Sequence, residues 1–335
     1  MSENTNSVRL TRRAALTAAV GGASALAAHL SMPQRALAKA PLTAKQAPGY
    51  YRRKIGTIEV TALLDGTLTF DQATLLALIA KASEEAVKPL NDKYFVPAPG
   101  AITMPINAYV VNTGDKLLLV DTGSADKFGP TAGALQTSLA AAGIDPATID
   151  TVVLTHAHPD HAAGLINAAG EALFPNAEVV LTETEAKFWA DAGTRTRLPE
   201  SQKSFFDVAG ASLKPYAART RLIADGADIA PGVTAYGLPG HTPGHTGYRI
   251  SSGDQQLLVI GDAVALYQWL FDKPDWSLAF DIDPAMAVAT RKKLFDMVST
   301  DRMMIAGMHM PFPGFGYVGR DGEAYRFVQA PWAPL

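Results

Sequence analysis

The chain has 335 residues, of which 48% are hydrophobic and 18% charged, and it contains no Cys. This composition can fill a substantial core, so it excludes a largely disordered chain. Without Cys there are no disulfides and no thiolate ligands, so any metal must be held by nitrogen and oxygen atoms.

The N-terminal segment has the layout of an export signal. Arg12 and Arg13 precede an uncharged, Ala-rich run over 14–30, and Ala36-Leu37-Ala38 offers an A-x-A cleavage site. The arginine pair resembles a twin-arginine signal. A membrane anchor is the weaker alternative, because the run is shorter than the ~20 residues that span a bilayer. We expect a twin-arginine-type signal peptide at 1–38, one domain over 39–335, a periplasmic or secreted location and no stable membrane insertion.

The charge of the expected mature chain argues against one class of partner. Removing the four Arg and one Glu of residues 1–38 from 29 basic and 32 acidic residues leaves a net charge of −6. Nucleic acid is therefore not an expected partner.

The predicted elements begin with a strand over 57–64, a helical segment over 71–88 and a hairpin over 107–120. Further helices are expected at 131–142, 162–169, 183–192, 201–217 and 284–298. Further strands are expected at 151–155, 178–181, 220–223, 233–238, 247–250, 256–260 and 303–306. Two groups of strands in hairpin order, before and after helices, favour an α+β chain in which two sheets pack together under covering helices.

The densest cluster of metal-ligand residue types is His156-Ala157-His158-Pro159-Asp160-His161, where a predicted strand meets a predicted helix. Its four side chains leave the backbone in two directions and can divide between two ions. His241, Asp262 and His309 each follow another predicted strand, and loops at one end of a sandwich can converge on one cleft. A single His is usually a surface or core residue, but three His within six residues beside an Asp predict a metal site.

This pattern, with Gly261-Asp262 among its later parts, resembles the five-motif signature of the metallo-β-lactamase superfamily. The resemblance implies the αββα sandwich of that family and a site for two ions. One ion would be held by His156, His158 and His241, the other by Asp160, His161 and His309, with Asp262 bridging them. Asp121 would orient a ligand without binding metal, and His245 would contact a ligand or form the pocket wall.

A narrower resemblance is to methyl parathion hydrolase and the lactonases and aryl esterases related to it. It is carried by residues 47–52, 121–123, 128–130, 174–177, 240–246 and 325–328. It implies an apolar pocket lined by Phe128, Trp189, Phe205 and Phe280, although core packing is an equal alternative for each. Residues 70–105 depart from that family, and this leaves the substrate preference open.

The resemblance implies hydrolysis of small neutral esters, namely organophosphate triesters such as methyl parathion, aryl esters or lactones. Hydroxide between two ions would be the nucleophile, with Asp262 and Asp160 as the catalytic carboxylates. Zinc is expected, and the same ligands accept Mn, Co or Fe. One alternative makes acyl-homoserine lactones or other lactones the substrate, with incidental phosphotriesterase activity. Another is a non-catalytic exported metal-binding protein. The family likeness also suggests a homodimer.

Overall fold

Two mixed sheets form the centre of the computed structural model, which describes residues 42–43 and 46–335. In the first sheet, spatial order follows chain order. Its strands are β1 (Tyr50–Ile55), β2 (Ile58–Phe70), β3 (Ile102–Asn112), β4 (Leu117–Val120), β5 (Thr151–Val153), β6 (Glu178–Thr182) and β7 (Thr220–Ile223). Strands β1 to β4 pair antiparallel, and β4 to β7 pair parallel.

The second sheet also follows chain order and is antiparallel except where its fourth strand meets its fifth. Its strands are β8 (Asp228–Ala230), β9 (Val233–Gly237), β10 (Thr246–Ser252), β11 (Gln255–Val259), β12 (Met304–Ala306), β13 (Phe315–Asp321) and β14 (Ala324–Gln329). Apolar side chains of both sheets, such as Val120 and Tyr248, share one buried cluster. The sheets therefore pack face to face.

Helices cover the outer faces of the two sheets. They are α1 (Gln72–Leu78), α2 (Glu84–Lys93), α3 (Leu135–Ala141), α4 (Pro159–Ala162), α5 (Glu183–Ala190), α6 (Ala192–Arg197), α7 (Glu200–Leu213), α8 (Tyr267–Leu270) and α9 (Pro284–Thr300). Short 3-10 turns lie at Pro146–Thr148, Ala163–Leu165, Lys214–Arg219 and Gly261–Ala263. Two further buried clusters join helices to the sheets, one around Phe295 of α9 and one around Leu139 of α3. The α+β class and the αββα arrangement are thus confirmed.

Local sequence explains why several helices begin where they do. Ser83, Thr182 and Asp283 each accept a hydrogen bond from a backbone N–H of the following first turn. Such caps satisfy donors that have no partner within the helix. Pro284 follows Asp283 as the first residue of α9, where its fixed φ favours a helix start.

Several expected elements differ from the structure. The helical segment expected at 71–88 is divided into α1 and α2, because Ile79 leaves the helix to form a bridge with Leu278. The helix expected at 162–169 was also misplaced. It begins at Pro159 and continues only as a 3-10 turn to Leu165, and Gly164 approaches the carbonyl of Thr122 too closely for any side chain.

Strands β1, β8, β13 and β14 were not expected from the sequence, and β2 continues past its expected end to Phe70 through a bulge near Gly66. Residues Ala47–Leu335 form one compact unit. The expected signal peptide lies outside the described residues. Within 42–43 and 46–335, no helix is both long and apolar enough to cross a bilayer.

Candidate metal centre

The loop after β5 carries four of the expected ligands. Strand β5 is buried between β4 and β6, and its chain leaves the sheet toward His156. His158 precedes the first turn of α4, and Pro159 starts that helix. Asp160 and His161 therefore lie in the first turn, while the two preceding histidines lie in the extended segment before it.

The remaining expected ligands come from the second sheet. His241 lies between β9 and β10, Asp262 follows β11, and His309 follows β12. Gly261, just before Asp262, has a φ of +50°, and a Cβ there would lie 2.3 Å from Nε2 of His245. Only glycine fits this turn, and the turn places the next residue, Asp262, in the cleft.

Side chains from the two sheets meet in three overlapping groups of potential ligands, and two of these groups are the sets expected to hold one ion each. In the first, Nδ1 of His158 lies 2.9 Å from Nε2 of His156 and 3.0 Å from Nε2 of His241. In the second, Oδ2 of Asp160 lies 3.5 Å from Nε2 of His161 and 3.4 Å from Nε2 of His309. The ligand atoms of each group lie within 4.8 Å of one another, close enough for one ion to reach all of them.

Asp262 lies between these groups. Its Oδ1 is 3.2 Å from Nε2 of both His161 and His309, and its Oδ2 is 3.4 Å from Nε2 of His241. One carboxylate thus faces both sets of ligands, the position expected of a bridging ligand.

The buried atoms at the centre test whether the residues fit metal ions. Nε2 of His161, Nε2 of His309 and Oδ1 of Asp262 are buried and have no hydrogen-bond partner. Buried polar atoms are rarely left unpartnered. Imidazole nitrogens and carboxylate oxygens that converge in this way are the donors that divalent transition metals prefer, so the residues fit such ions.

The charges of the second group are strongly coupled. Although burial opposes it, the charges of Asp262 and Asp160 raise the pKa of His161 well above its usual range, and Asp262 raises the pKa of His309. Burial acts against ionisation of Asp160, yet His161 and His309 lower its pKa to about 2. The pKa of Asp262 is lowered well below its usual range by the same two histidines, again against burial.

In the first group, the pKa values of two histidines are lowered instead of raised. Burial lowers the pKa of His156 and His158 well below the usual value, and neighbouring histidine charges add to the effect. These two rings are therefore neutral at neutral pH, the form in which imidazole binds metal.

Hydrogen bonds at the far side of the rings orient most of the histidines. Asp121 accepts from Nδ1 of His161 over 2.7 Å and from the N–H and the hydroxyl of Thr155, each over 2.7 Å. Nδ1 of His309 donates to the carbonyl of Pro105 over 2.8 Å. Such contacts fix the tautomer and leave Nε2 free for a metal.

His245 uses both ring nitrogens for hydrogen bonds within the protein. Its Nδ1 donates to the carbonyl of Leu238 over 2.8 Å, and its Nε2 accepts from the backbone N–H of Asp262 over 2.9 Å. The ring therefore supports the backbone of Asp262 and presents no free nitrogen to either group.

Two carboxylates at the centre were missed from the sequence. Asp281 accepts from Nδ1 of His241 over 2.8 Å, and Glu185 accepts from the loops that carry His158 and His241. Burial raises the pKa of Glu185, while hydrogen bonds from Thr242 and other donors act in the opposite direction. Each lies far along the chain from the histidine it supports, so no local spacing pointed to it.

An apolar cavity of about 130 Å³ opens onto the centre. Phe128, Phe205 and Phe280 line it, together with side chains from the 70–105 segment such as Leu75 and Met104. The lining residues include five of the seven expected ligands at its floor, which are His158, Asp160, His241, Asp262 and His309. A larger cavity of about 830 Å³ near Asp65 contains none of these ligands.

Trp189 is placed differently from the expectation and does not line this cavity. It is 7% exposed, its ring lies edge-to-face with His158 at 5.4 Å between centroids, and its Nε1 donates to Glu185. The reason is helical geometry, because Trp189 and Glu185 are four residues apart on α5 and share its buried face. Trp189 therefore packs behind His158.

Comparisons with known proteins agree with this fold. Residues 102–309 match the family model described as the metallo-beta-lactamase superfamily. The Beta-lactamase-like protein 2 homolog of Drosophila melanogaster is 26% identical over 180 residues, which are 52% of this chain and 54% of that protein. The chain thus spans about half the length of this curated relative.

Two solved structures resemble nearly the whole described chain. The hydrolase AbOPH, of the beta lactamase superfamily, is 34% identical with a TM-score of 0.81, covering 87% of this chain and 100% of that one. AidC, a dizinc quorum-quenching lactonase, is 27% identical with a TM-score of 0.80, covering 86% and 99%. With the motif match, the shared fold and the converging His and Asp side chains, the chain belongs to the metallo-β-lactamase superfamily.

Proposed function

We propose that this protein hydrolyses small uncharged esters, with lactones, aryl esters and organophosphate triesters as its substrate classes. The observation that carries the proposal is the cavity whose floor is formed by metal-ligand side chains and whose walls are apolar. A substrate that enters would bury its non-reacting part against Phe205, Phe280 and Leu75, with its ester group at the floor.

We further propose that the site holds two divalent ions, zinc by default, with Mn, Co or Fe as alternatives. His156, His158 and His241 would hold one, Asp160, His161 and His309 the other, and Asp262 would contact both. When bound, such ions supply Lewis acidity and lower the pKa of water to roughly 7. Asp160 and Asp262 would offset part of the ionic charge, and Asp262 would set the spacing of the two groups.

Charge in the cavity favours uncharged substrates. Its lining includes no Lys or Arg among the described residues, and its carboxylates are those of Asp160 and Asp262, with the imidazole of His309 beside them. A phosphate, a nucleic acid or the carboxylates of a glutathione thioester would find no Lys or Arg there to pair with. An acyl chain or an aromatic ring would instead bury apolar area.

One observation favours lactones within this group. AidC, whose similarity covers 86% of this chain, is a quorum-quenching lactonase whose structure contains the product N-hexanoyl-L-homoserine. The second candidate function is therefore hydrolysis of acyl-homoserine lactones, with phosphotriesterase activity incidental.

The test is a side-by-side comparison of kcat/KM on the zinc-loaded protein. The panel comprises methyl parathion, an aryl ester, dihydrocoumarin, an acyl-homoserine lactone and, as the charged control, a glutathione thioester. We expect the highest value on one of the four uncharged compounds. A glutathione thioester as the best substrate would overturn the proposal, and no turnover in a protein that binds zinc would favour the non-catalytic alternative.

We also propose that the protein is exported by its twin-arginine-type segment, as the pattern at residues 9–38 indicates. Export by this route carries folded proteins, which suits a chain that takes up metal before it leaves the cytoplasm. The homodimer suggested by family likeness stays a prediction, for which light scattering of the mature protein is the measurement.

A further inference from the structure

Glu185 is a buried carboxylate that accepts four hydrogen bonds, three of them from two separate loops and one from its own helix. It lies in the first turn of α5 and is 1% exposed. One oxygen accepts from the backbone N–H of Ala157 over 3.1 Å and from Nε1 of Trp189 over 2.5 Å. The other accepts from the hydroxyl of Thr242 over 2.6 Å and from the N–H of Gly244 over 3.1 Å.

The two loops come from different sheets. Ala157 lies between His156 and His158 after β5 of the first sheet, whereas Thr242 and Gly244 follow His241 before β10 of the second. These loops supply the three histidines of the first ligand group. The carboxylate is thus a direct bridge between the two parts of the chain that must meet for that group to exist.

The start of α5 makes a second contact with the same loop. Thr182, the N-cap residue, donates its hydroxyl hydrogen to the carbonyl of Gly244 over 2.8 Å. A Cβ on Gly244 would lie 2.2 Å from the backbone nitrogen of Glu185, so the loop is pressed directly against the helix. Trp189, one turn further along α5, packs edge-to-face on the ring of His158.

We propose that Glu185 is a positioning residue for the His156, His158 and His241 group, holding the two loops at the separation that metal binding requires. This rests on the proposed metal-dependent function. Trp189 contributes to the same positioning, because it donates a hydrogen bond to Glu185 and packs against the ring of His158.

The donor set requires a carboxylate. All four partners direct a hydrogen at Glu185, and a carboxylate accepts at both oxygens. In Glu185→Gln one oxygen becomes an NH2 group that faces two donors. The hydroxyl of Thr242 can rotate to accept, but the N–H of Gly244 or Ala157 cannot. One of the two loops therefore loses its backbone hydrogen bond to residue 185.

The experiment compares Zn²⁺ binding to metal-free full-length protein by chelator competition. The variants are Glu185→Gln, Thr242→Val and Trp189→Phe, and the matched control is Glu183→Gln. Glu183 lies on the same helix turn, is exposed and pairs with Lys187. The Tm of each metal-free protein is measured alongside.

We expect Glu185→Gln to weaken one of two zinc affinities by about 10- to 100-fold, the effect typical of lost outer contacts to a metal ligand. Thr242→Val and Trp189→Phe each remove one donor and should weaken the same affinity by less, while Glu183→Gln should match the wild type. Weakened zinc binding in variants whose metal-free Tm is unchanged supports positioning.

A folded Glu185→Gln protein with both zinc affinities unchanged would overturn the inference, since a purely structural carboxylate would lower Tm without changing affinity in the folded protein. If Glu185→Gln does not fold, unchanged affinities in both Thr242→Val and Trp189→Phe have the same meaning. A wild-type protein that binds neither zinc nor any of the other candidate metals would instead reject the proposed function.

Discussion

Asp281 accepts a hydrogen bond from Nδ1 of His241 over 2.8 Å, and its second oxygen accepts from the backbone N–H of Leu278 over 2.8 Å. Because a carboxylate only accepts, Nδ1 of His241 carries the hydrogen and Nε2 presents a lone pair toward His158 and Asp262. Leu278 and Phe280 of the same segment line the cavity. One short stretch of chain therefore both orients the ring of His241 and lines the cavity.

Asp281→Asn should weaken binding at the first ligand group. An Asn side chain retains one acceptor, so it cannot accept from both His241 and Leu278. We expect zinc affinity to fall about 10-fold, at the low end for such outer contacts, and kcat to fall at sub-saturating zinc. Chelator competition measures the affinity, and Asp254→Asn at an exposed turn is the control. Equal affinity in both variants would show that Asp281 does not set the tautomer.

Asp262→Ala should depress kcat on every substrate of the panel. Its carboxylate faces both ligand groups, so its loss changes the spacing that all reactions at this site share. Metal content and Tm must be measured with kcat, so that unfolding is not mistaken for lost catalysis. Full turnover with both metals retained would show that another residue bridges the groups.

Phe280→Ala should change the ranking of substrates. Phe280 lines the cavity and lies near Phe205, with 6.1 Å between ring centroids. Its removal takes away burial worth roughly 1 to 3 kcal/mol from bulky aromatic substrates and less from small ones. The measurement is kcat/KM across the panel, and an equal loss on all substrates would assign Phe280 to core packing.

Trp189→Ala should lower activity without changing the ranking of substrates. Because Trp189 packs behind His158 and not in the cavity, its loss should lower activity on all substrates in similar proportion. The same kcat/KM panel distinguishes the two residues. A changed ranking in folded Trp189→Ala would place the indole in contact with substrate.

The metal-free protein should be most stable near pH 6.5, the ordinary pKa of His. Burial lowers the pKa of His156 and His158 and brings that of His245 to about 4. Below pH 6.5 the unfolded chain takes up protons at these rings and the folded protein does not, so stability falls as pH falls.

The loss of stability above pH 6.5 comes from the imidazole rings of His161 and His309. The pKa of His161 and His309 is raised by neighbouring carboxylates despite burial. Their contribution is fully present below pH 6.5 and is lost as pH rises through the folded pKa. Bound zinc takes the place of these protons, so the loss should vanish in the loaded protein. Tm measured from pH 5 to 9 with and without zinc checks this, and a metal-free Tm that rises steadily to pH 9 would contradict it.

The secreted protein should lack about the first 38 residues, because the Ala36-Leu37-Ala38 site follows an Arg-led apolar run. Mass spectrometry of periplasmic protein measures the new N-terminus. Replacing Arg12 and Arg13 by Lys should retain the precursor in the cytoplasm. An intact N-terminus on soluble cytoplasmic protein in the wild type would reject export.

Much of this protein could be read from local sequence. The spacing of His156, His158, Asp160 and His161 reports the turn between a strand and a helix, and both the apolar runs and the helix starts follow from short-range patterns. These features depend on residues within one or two turns of each other, and the family and sandwich fold inferred from them were confirmed.

Other features depended on contacts between distant segments. Strands β1, β13 and β14 have weak patterns of their own and are defined by pairing. Glu185, Asp281 and Trp189 carry no local sign of their partners, because each meets its histidine or loop only after the two sheets and α5 pack together. The sequence by itself determined which donor atoms are available for metal, whereas the tertiary structure decided which groups orient them and which aromatic rings line the cavity, since hydrogen bonds and packing act over a few ångströms irrespective of distance along the chain.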